Sequence, residues 1–322
     1  MSDLVSRAFI SLVLKVSGNV NADAGVGTRI PLKKIITWNQ EIKPFVSARC
    51  IRRCIRERLA EKFGFSAIDP LQMIGEGERK QLGDAGDPVK YVDDDLFGFL
   101  VPTEPPLRRS SPIKISHLIS LRHAEVKVEF AARFPRDFLE EYEHGYPVPY
   151  EVELAEWLGK LNVIVSDRIG RFTQDELSAE AKKKLGDGLS LDDAERKRRL
   201  EGFLEILLWE GWNFPRAAES PSVPEYYYAI IVLTKRFVPL FGFVDVSEEG
   251  KLNMVSVENL KKLYSDLIDH LFILDYKGGI YSHYTRSEDE LKEKVKDESL
   301  NADVMKRAII GTICDYIVGS KE

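Results

Sequence analysis

Four arginines set the chemistry that this sequence offers. Arg49, Arg52, Arg53 and Arg56 recur at i, i+3, i+4 and i+7, a spacing that places them within about 100° of arc on one helix face. No carboxylate precedes Glu57 on that face, so the helix itself offers them little counter-charge. A planar guanidinium fork donates two hydrogen bonds to one phosphate at once, and a row of four suits an extended polyanion. Two readings stand at this point: the partner is an external anion, or carboxylates elsewhere in the chain pair with the row. Ser47 is a natural N-cap, which predicts a helix from Ala48 to about Phe63, closed by Gly64, with Ile51, Ile55 and Leu59 packed on a sheet.

Other chemistry-bearing residues are sparser. Gly25-x-Gly27 and Gly75-x-Gly77 each lack a third glycine and a following Lys-Ser or Lys-Thr, so they read as turns and not as phosphate cradles. The five histidines lack the spacing of a helical zinc site, and Cys50, Cys54 and Cys314 are too few for a disulfide framework or a four-ligand zinc site. Asp93-Asp94-Asp95 reads as a solvated acidic turn, with divalent-cation ligation as the alternative. Asp23, in the loop Asn19–Thr28, is either a turn residue or a carboxylate for Mg²⁺-assisted RNA cleavage. Trp38, Phe45, Trp212 and Phe214 lie in irregular segments, where an aromatic either packs in the core or stacks on an unpaired base.

The elements that must position these residues follow from periodicity. Ala8–Val16 is almost wholly apolar and reads as a buried strand. Residues 66–100 have the glycines, prolines and acidic run of an inserted lobe. Strands are expected at Ile113–Ser120 and at Glu125–Phe134, where Val126, Val128, Phe130 and Ala132 share one side. A strand pair is expected at Val148–Leu154 and Leu161–Ser166, a charged helix over Asp175–Leu200 extended through Trp209, and a strand at Tyr226–Leu233. Helices near Val257–Leu271 and Ala302–Val318 complete the reading. Strand, helix, two strands, helix, strand is the order of an α+β, ferredoxin-like unit.

Composition narrows the class. The chain has 322 residues, 44% of them hydrophobic and 30% charged, which excludes a disordered tail. No apolar run approaches the roughly 20 residues of a membrane span, and the amino terminus does not resemble a secretory signal, so a cytoplasmic location without membrane contact is expected. Eight Asn and four Gln beside 46 Lys plus Arg and 52 Asp plus Glu fit a thermophile composition. The net charge is −6, yet residues 29–62 hold ten basic against three acidic side chains and residues 104–136 hold seven against three. Screening confines each charge to roughly 10 Å, so an acidic chain so arranged still offers a local polyanion site.

Asn19-Val-Asn21 with Gly25 and Gly27, then Ser47-Ala-Arg-Cys-Ile-Arg52-Arg53-Cys-Ile-Arg56, Asp94-Asp95-Leu96-Phe97-Gly98-Phe99, Val165–Phe172 and Asn213–Ala217 together resemble the DevR autoregulator family. This is the family of the backbone subunit of type I CRISPR surveillance complexes (Cascade), numbered seven among CRISPR-associated proteins. The resemblance implies a hand: an RRM-type palm (1–63, 112–135, 145–172, 226–275), an inserted finger lobe (64–111), a hairpin thumb (205–225) and a C-terminal helical region (276–322). It implies a non-catalytic subunit without cofactor or metal, which oligomerises along guide CRISPR RNA. Copies of itself and other Cascade subunits are its partners, and target DNA is met by way of the guide. Carried over, the RNA-binding residues are Asn19, Asn21, Ser47, Arg49, Arg52, Arg53, Arg56, Trp38, Asn213, Phe214 and Arg216. The alternatives are a type III-like subunit cutting target RNA with Asp23, and an autoregulator that binds duplex DNA.

Overall fold

The computed structural model describes residues 5–25, 27–74, 80–133, 147–215, 222–287, 290–297 and 302–319. The apolar run near its start is strand β1, Arg7–Gly18, covered on both faces and therefore continuous in hydrophobicity. Short strands β2 (Arg29–Ile30), β3 (Lys34–Ile36) and β4 (Ile42–Val46) lead into helix α1, Ala48–Phe63, with the expected bounds. The lobe that follows contains strands β5 (Gln72–Ile74) and β6 (Gln81–Gly83), helix α2 (Val92–Phe97), and strands β7 (Phe99–Val101) and β8 (Leu107–Arg109). Then come β9 (Ile113–Ile115), β10 (Leu118–Ser120), β11 (Lys127–Arg133) and β12 (Val148–Ser166). Helices α3 (Ala179–Leu185) and α4 (Asp193–Glu205), the latter prolonged by a π-helical turn over Ile206–Glu210, precede β13 (Glu225–Thr234). The chain closes with α5 (Met254–Leu263), β14 (His270–Asp275), β15 (Ile280–Ser287), β16 (Glu290–Asp297) and α6 (Ala302–Val318).

Twelve strands form one sheet, and its centre runs β13, β1, β12, then β9 and β10, each antiparallel to its neighbour. With α1 before β9 and α4 before β13, this is the expected strand–helix–strand–strand–helix–strand connectivity. Ile10, Leu12 and Leu14 of β1 share a core with Ile51, Ile55 and Leu59 of α1, Leu200 and Phe203 of α4, and Ile313 and Ile317 of α6. Phe9 and Val13, pointing the other way, pack with Val257 and Leu260 of α5 and with Leu271.

Several expectations are corrected. The strand pair at 148–166 is the single strand β12: it pairs with β1 from Ser166 to Ala155, and its first half runs on to pair with β11. Ile113–Ser120 is two short strands parted at Ser116-His117. The apolar side of β11 alternates as expected but faces outward, with Phe130 70% exposed, because β11 pairs with the outer half of β12 and no described element covers it. Asp175–Leu200 is broken by Gly186, whose φ of +67° ends α3. Leu271 belongs to β14 and not to the helix before it. Nor is 276–322 wholly helical: the Gly278-Gly279 turn joins β14 to β15, and β15 pairs with β16 ahead of α6. Among the described residues no helix is long and apolar enough to cross a membrane.

Asp95 of α2 ties the lobe to the sheet. Its carboxylate accepts from Arg109 Nη2 at 2.7 Å, Arg199 Nη1 at 3.0 Å and Gly170 N at 3.0 Å, and all three side chains are buried. Arg109 also donates to Glu176 at 2.8 Å and to the carbonyls of Asp95, Arg168 and Arg171. Gly98 must be glycine: it adopts φ +71°, and a Cβ there would sit 2.3 Å from the Arg109 carbonyl oxygen. Removing one partner from a buried ion network strands the others. Asp95→Ala is therefore expected to cost about 3–5 kcal/mol in urea unfolding, whereas Arg53→Ala, an exposed i,i+4 pair, should cost under about 1 kcal/mol. Equal midpoints for the two variants would refute the network's role.

Candidate nucleic-acid interface

Helix α1 starts where its first N–H groups find side-chain acceptors. Ser47 Oγ accepts from Cys50 N at 3.3 Å, and His117 Nδ1 accepts from Ala48 N at 2.8 Å. The Ser47 oxygen thus caps the helix as its position predicts, by accepting, and its O–H is not used in that bond. His117 carried no motif by which the sequence could have marked it. Ile51, Cys54, Ile55 and Leu59 are buried against the sheet, and this packing turns the arginines outward.

The row divides in two. Arg53 pairs with Glu57 at 3.1 Å, both exposed. Arg56 pairs with buried Asp93 at 3.0 Å and lies over the Phe97 ring at 5.3 Å. Arg49 is exposed and makes no hydrogen bond or ion pair with a described residue. Arg52 is half-buried, its Nε has no partner, and burial, followed by the charges of Arg56 and Arg49, holds its pKa below the usual guanidinium value. Carboxylates of the chain therefore pair with Arg53 and Arg56, and no described carboxylate pairs with Arg49 or Arg52. Two cations are neutralised internally, and two are not.

The remaining candidates are scattered. Asn19 is buried, and its Nδ2 donates to Glu153 O at 2.7 Å while Oδ1 lacks a partner. Asn21 sits at φ +55°, a conformation Asn tolerates, with Nδ2 likewise unpartnered. Trp38 is 94% exposed. Phe45 lies half-buried against His117, with ring centroids 5.3 Å apart. Phe214 is corrected: it is buried in the core edge-on to Trp212, itself buried, and is not placed to stack on a base. Asn213 Oδ1 accepts from Ser222 N at 3.1 Å. Arg216 lies outside the described residues. Asp23 Oδ1 accepts from Ala24 N, and its N–H reaches the Pro31 carbonyl, the contacts of a turn residue.

The acidic turn is the largest surprise. Asp93, Asp94 and Asp95 are 3%, 1% and 0% exposed and lie within α2, not in a solvated turn. Val92, Leu96 and Phe97 around them are buried too, and that apolar framing was the available signal. Asp94 approaches Asp69 and Asp84, with oxygens within 4.8 Å. Each is bonded to backbone N–H groups: Asp69 to Leu71 and Ala85, Asp84 to Leu100, Asp94 to Asp87. Asp69 and Asp84, with Asp93, Arg53 and Arg56, line a cavity of about 680 Å³.

Comparison with known proteins adds three findings. The family model described as CRISPR-associated negative auto-regulator DevR/Csa2 matches residues 19–242. No curated protein matches. A chain of the "CRISPR RNA-guided surveillance complex, pre-nicking" is similar in fold, with a TM-score of 0.56 at 11% identity over 95% of this chain and 100% of that one. A chain of a second "CRISPR RNA-guided surveillance complex" has a TM-score of 0.49 at 11% identity, over 95% and 99%.

Asp94 supplies a pH test. Burial first, then Asp69 and Asp93, push its carboxyl up to about 9. The folded chain thus keeps a proton that the unfolded chain releases near 4. Stability from this group is full below about 4 and declines as pH rises toward 9. Asp94→Asn, which can still accept the Asp87 N–H, is expected to raise the urea midpoint at pH 8 and flatten its dependence on pH. A lower midpoint at pH 8 would contradict the assignment.

Proposed function

The chain belongs to the CRISPR-associated DevR/Csa2 family, and from that premise we propose that it is a non-catalytic backbone subunit of a CRISPR surveillance complex. It binds guide RNA, stacks in copies along it and presents it for pairing with target DNA in antiviral defence. The observation that carries this reading is the pair Arg49 and Arg52: two neighbouring guanidinium groups on one helix face that no described carboxylate pairs with, Arg52 Nε having no partner at all. A phosphodiester supplies that charge. Bidentate contact from Arg49 and Arg52 fixes the strand, and Arg53 and Arg56 can exchange a carboxylate for a phosphate where the strand continues. Such contacts read no bases, so sequence selection falls to pairing between guide and target. The palm is the central sheet with α1 and α4, the finger is the lobe from 64 to 111, and Asn21 is a secondary contact.

The fold shared with a chain of an RNA-guided complex is consistent with a place in such an assembly.

Replacing both Arg49 and Arg52 with Ala is expected to weaken binding of unrelated guide sequences by a similar factor, about tenfold or more per residue. It should also reduce the slope of log K against log salt by about 1.4. Arg53→Ala should have a smaller effect, since Glu57 already offsets its charge. Titration of fluorescent guide RNA at several salt concentrations checks both, and an unaltered affinity in the double variant would remove the basis for the reading.

A further inference from the structure

A second cationic surface lies on the opposite side of the sheet from α1. Leu161, Val163 and Val165 of β12 and Leu118 of β10 face the helices. Lys160, Asn162 and Ile119 therefore face the other way, and there they line a groove of about 500 Å³. Its far wall is the Phe241–Asp245 segment, clamped to the sheet by Lys160 Nζ, which donates to the carbonyls of Phe241 at 2.6 Å and Val244 at 3.0 Å. Lys43 and Arg122 line the same groove, with Asp245 as its one acidic wall residue. Arg122 is held by both Asp245 oxygens at 2.9 and 2.8 Å, and Lys43 by Glu41 at 2.9 Å. Among the described residues Lys160 has no carboxylate in ion-pair range, and its two partners are carbonyls. Burial lowers its pKa, and Arg122 and Lys43 lower it further while Asp245 opposes them. Three cations against Asp245 and Glu41 leave the furrow a net positive charge.

An exposed indole adjoins the groove in sequence. Ile35 and Thr37 line the groove, and Trp38 follows them at the tip of the β3–β4 hairpin. The turn beneath it is fixed: Thr37 N donates to Glu41 O at 3.0 Å, Gln40 N to Thr37 O at 3.0 Å, and Glu41 N to Thr37 Oγ1 at 3.1 Å. A rigid turn holding out a 94% exposed Trp beside 70% exposed Ile36 forgoes burial of a large aromatic surface, and it offers a preorganised face for stacking. His117 joins the two surfaces, since its ring lines the groove while its Nδ1 receives the first N–H of α1.

We propose that this groove and Trp38 bind a second segment of single-stranded nucleic acid, its phosphates along Lys43, Arg122 and Lys160 and a base on the indole. This segment is additional to the strand on the arginine row. The inference rests on the chain being a nucleic-acid-binding protein, and the two surfaces are separable by mutation.

The test uses guide-loaded protein and a fluorescein-labelled oligothymidylate of about 10 nucleotides that cannot pair with the guide. Saturable, salt-sensitive binding is expected, with quenching of the accessible tryptophan emission. Trp38→Ala, at a side chain too exposed to matter for folding, should abolish the quenching and weaken the oligomer about tenfold. Lys43→Glu should weaken it as well. The Arg49→Ala, Arg52→Ala double variant, tested without guide, should retain oligothymidylate binding. Unchanged binding in both Trp38→Ala and Lys43→Glu would overturn the proposal, as would complete competition between oligomer and guide. So would a Trp38-dependent self-association without nucleic acid, which would make the hairpin a contact between copies. Normal guide binding by the arginine double variant would instead count against the guide track alone.

Discussion

A buried carboxylate holds this molecule's parts in register. Asp95 draws together helix α2, strand β8 through Arg109, helix α4 through Arg199, and the turn after β12 through the Gly170 amide. Two charged arginines and an aspartate in a dry interior are costly unless nearly every donor and acceptor is satisfied. Here they are: Arg109 spends its donors on Asp95, Glu176 and three carbonyls, and Arg199 reaches Glu195 and the carbonyls of Pro88 and Val89. An apolar cluster would glue the lobe to the sheet without fixing its angle. Directional hydrogen bonds fix it, and so fix Asp93, on the same short helix, against Arg56.

The sheet then separates two kinds of surface. One face is fully consumed by α1, α4 and α6, so α1 can be held by Ile51, Ile55 and Leu59 and show its polar side at the molecule's edge. The other is covered by α5 and the segment before it only around Phe9, Val13 and β13–β14. Toward β10, β4 and β3 that cover stops, and Lys160 bridges the last of it to the sheet. The furrow is therefore a consequence of a small covering layer over a wide sheet.

Local periodicity carried most of the elements. Ala48–Phe63 and Ala302–Val318 were legible to the residue, because a cap or an apolar stripe at 3.6 spacing is a local signal. What sequence could not carry was partner choice. Only the apolar framing of Asp93, Asp94 and Asp95 hints at burial, since the counter-charges of Asp93 and Asp95 stand at Arg56, Arg109 and Arg199, 37, 14 and 104 residues away. The same limit explains β12. A strand that passes from a central position to a protruding hairpin changes its burial pattern midway, and Gly159 between the halves looks like a break although the pairing with β1 runs through it. Phe214 fails for the complementary reason: a Pro-rich segment looks exposed, yet it folds back on Trp212.

The mixed state of the arginine row follows from what a reversible strand-holder requires. Four unpaired guanidinium groups within two helical turns would repel one another and destabilise α1 before any ligand arrived. Four fully paired ones would have to break every pair to bind, and the gain from phosphate would be offset by the loss of carboxylate. Pairing Arg53 with Glu57 and Arg56 with Asp93 lowers the field to a level the fold tolerates. Arg52 keeps the remainder: it is flanked by two cations, partly desolvated and short of a partner at Nε. An electrostatic cost left standing in the free protein becomes binding free energy when a polyanion relieves it, and that difference, not the count of basic residues, sets where the strand is gripped.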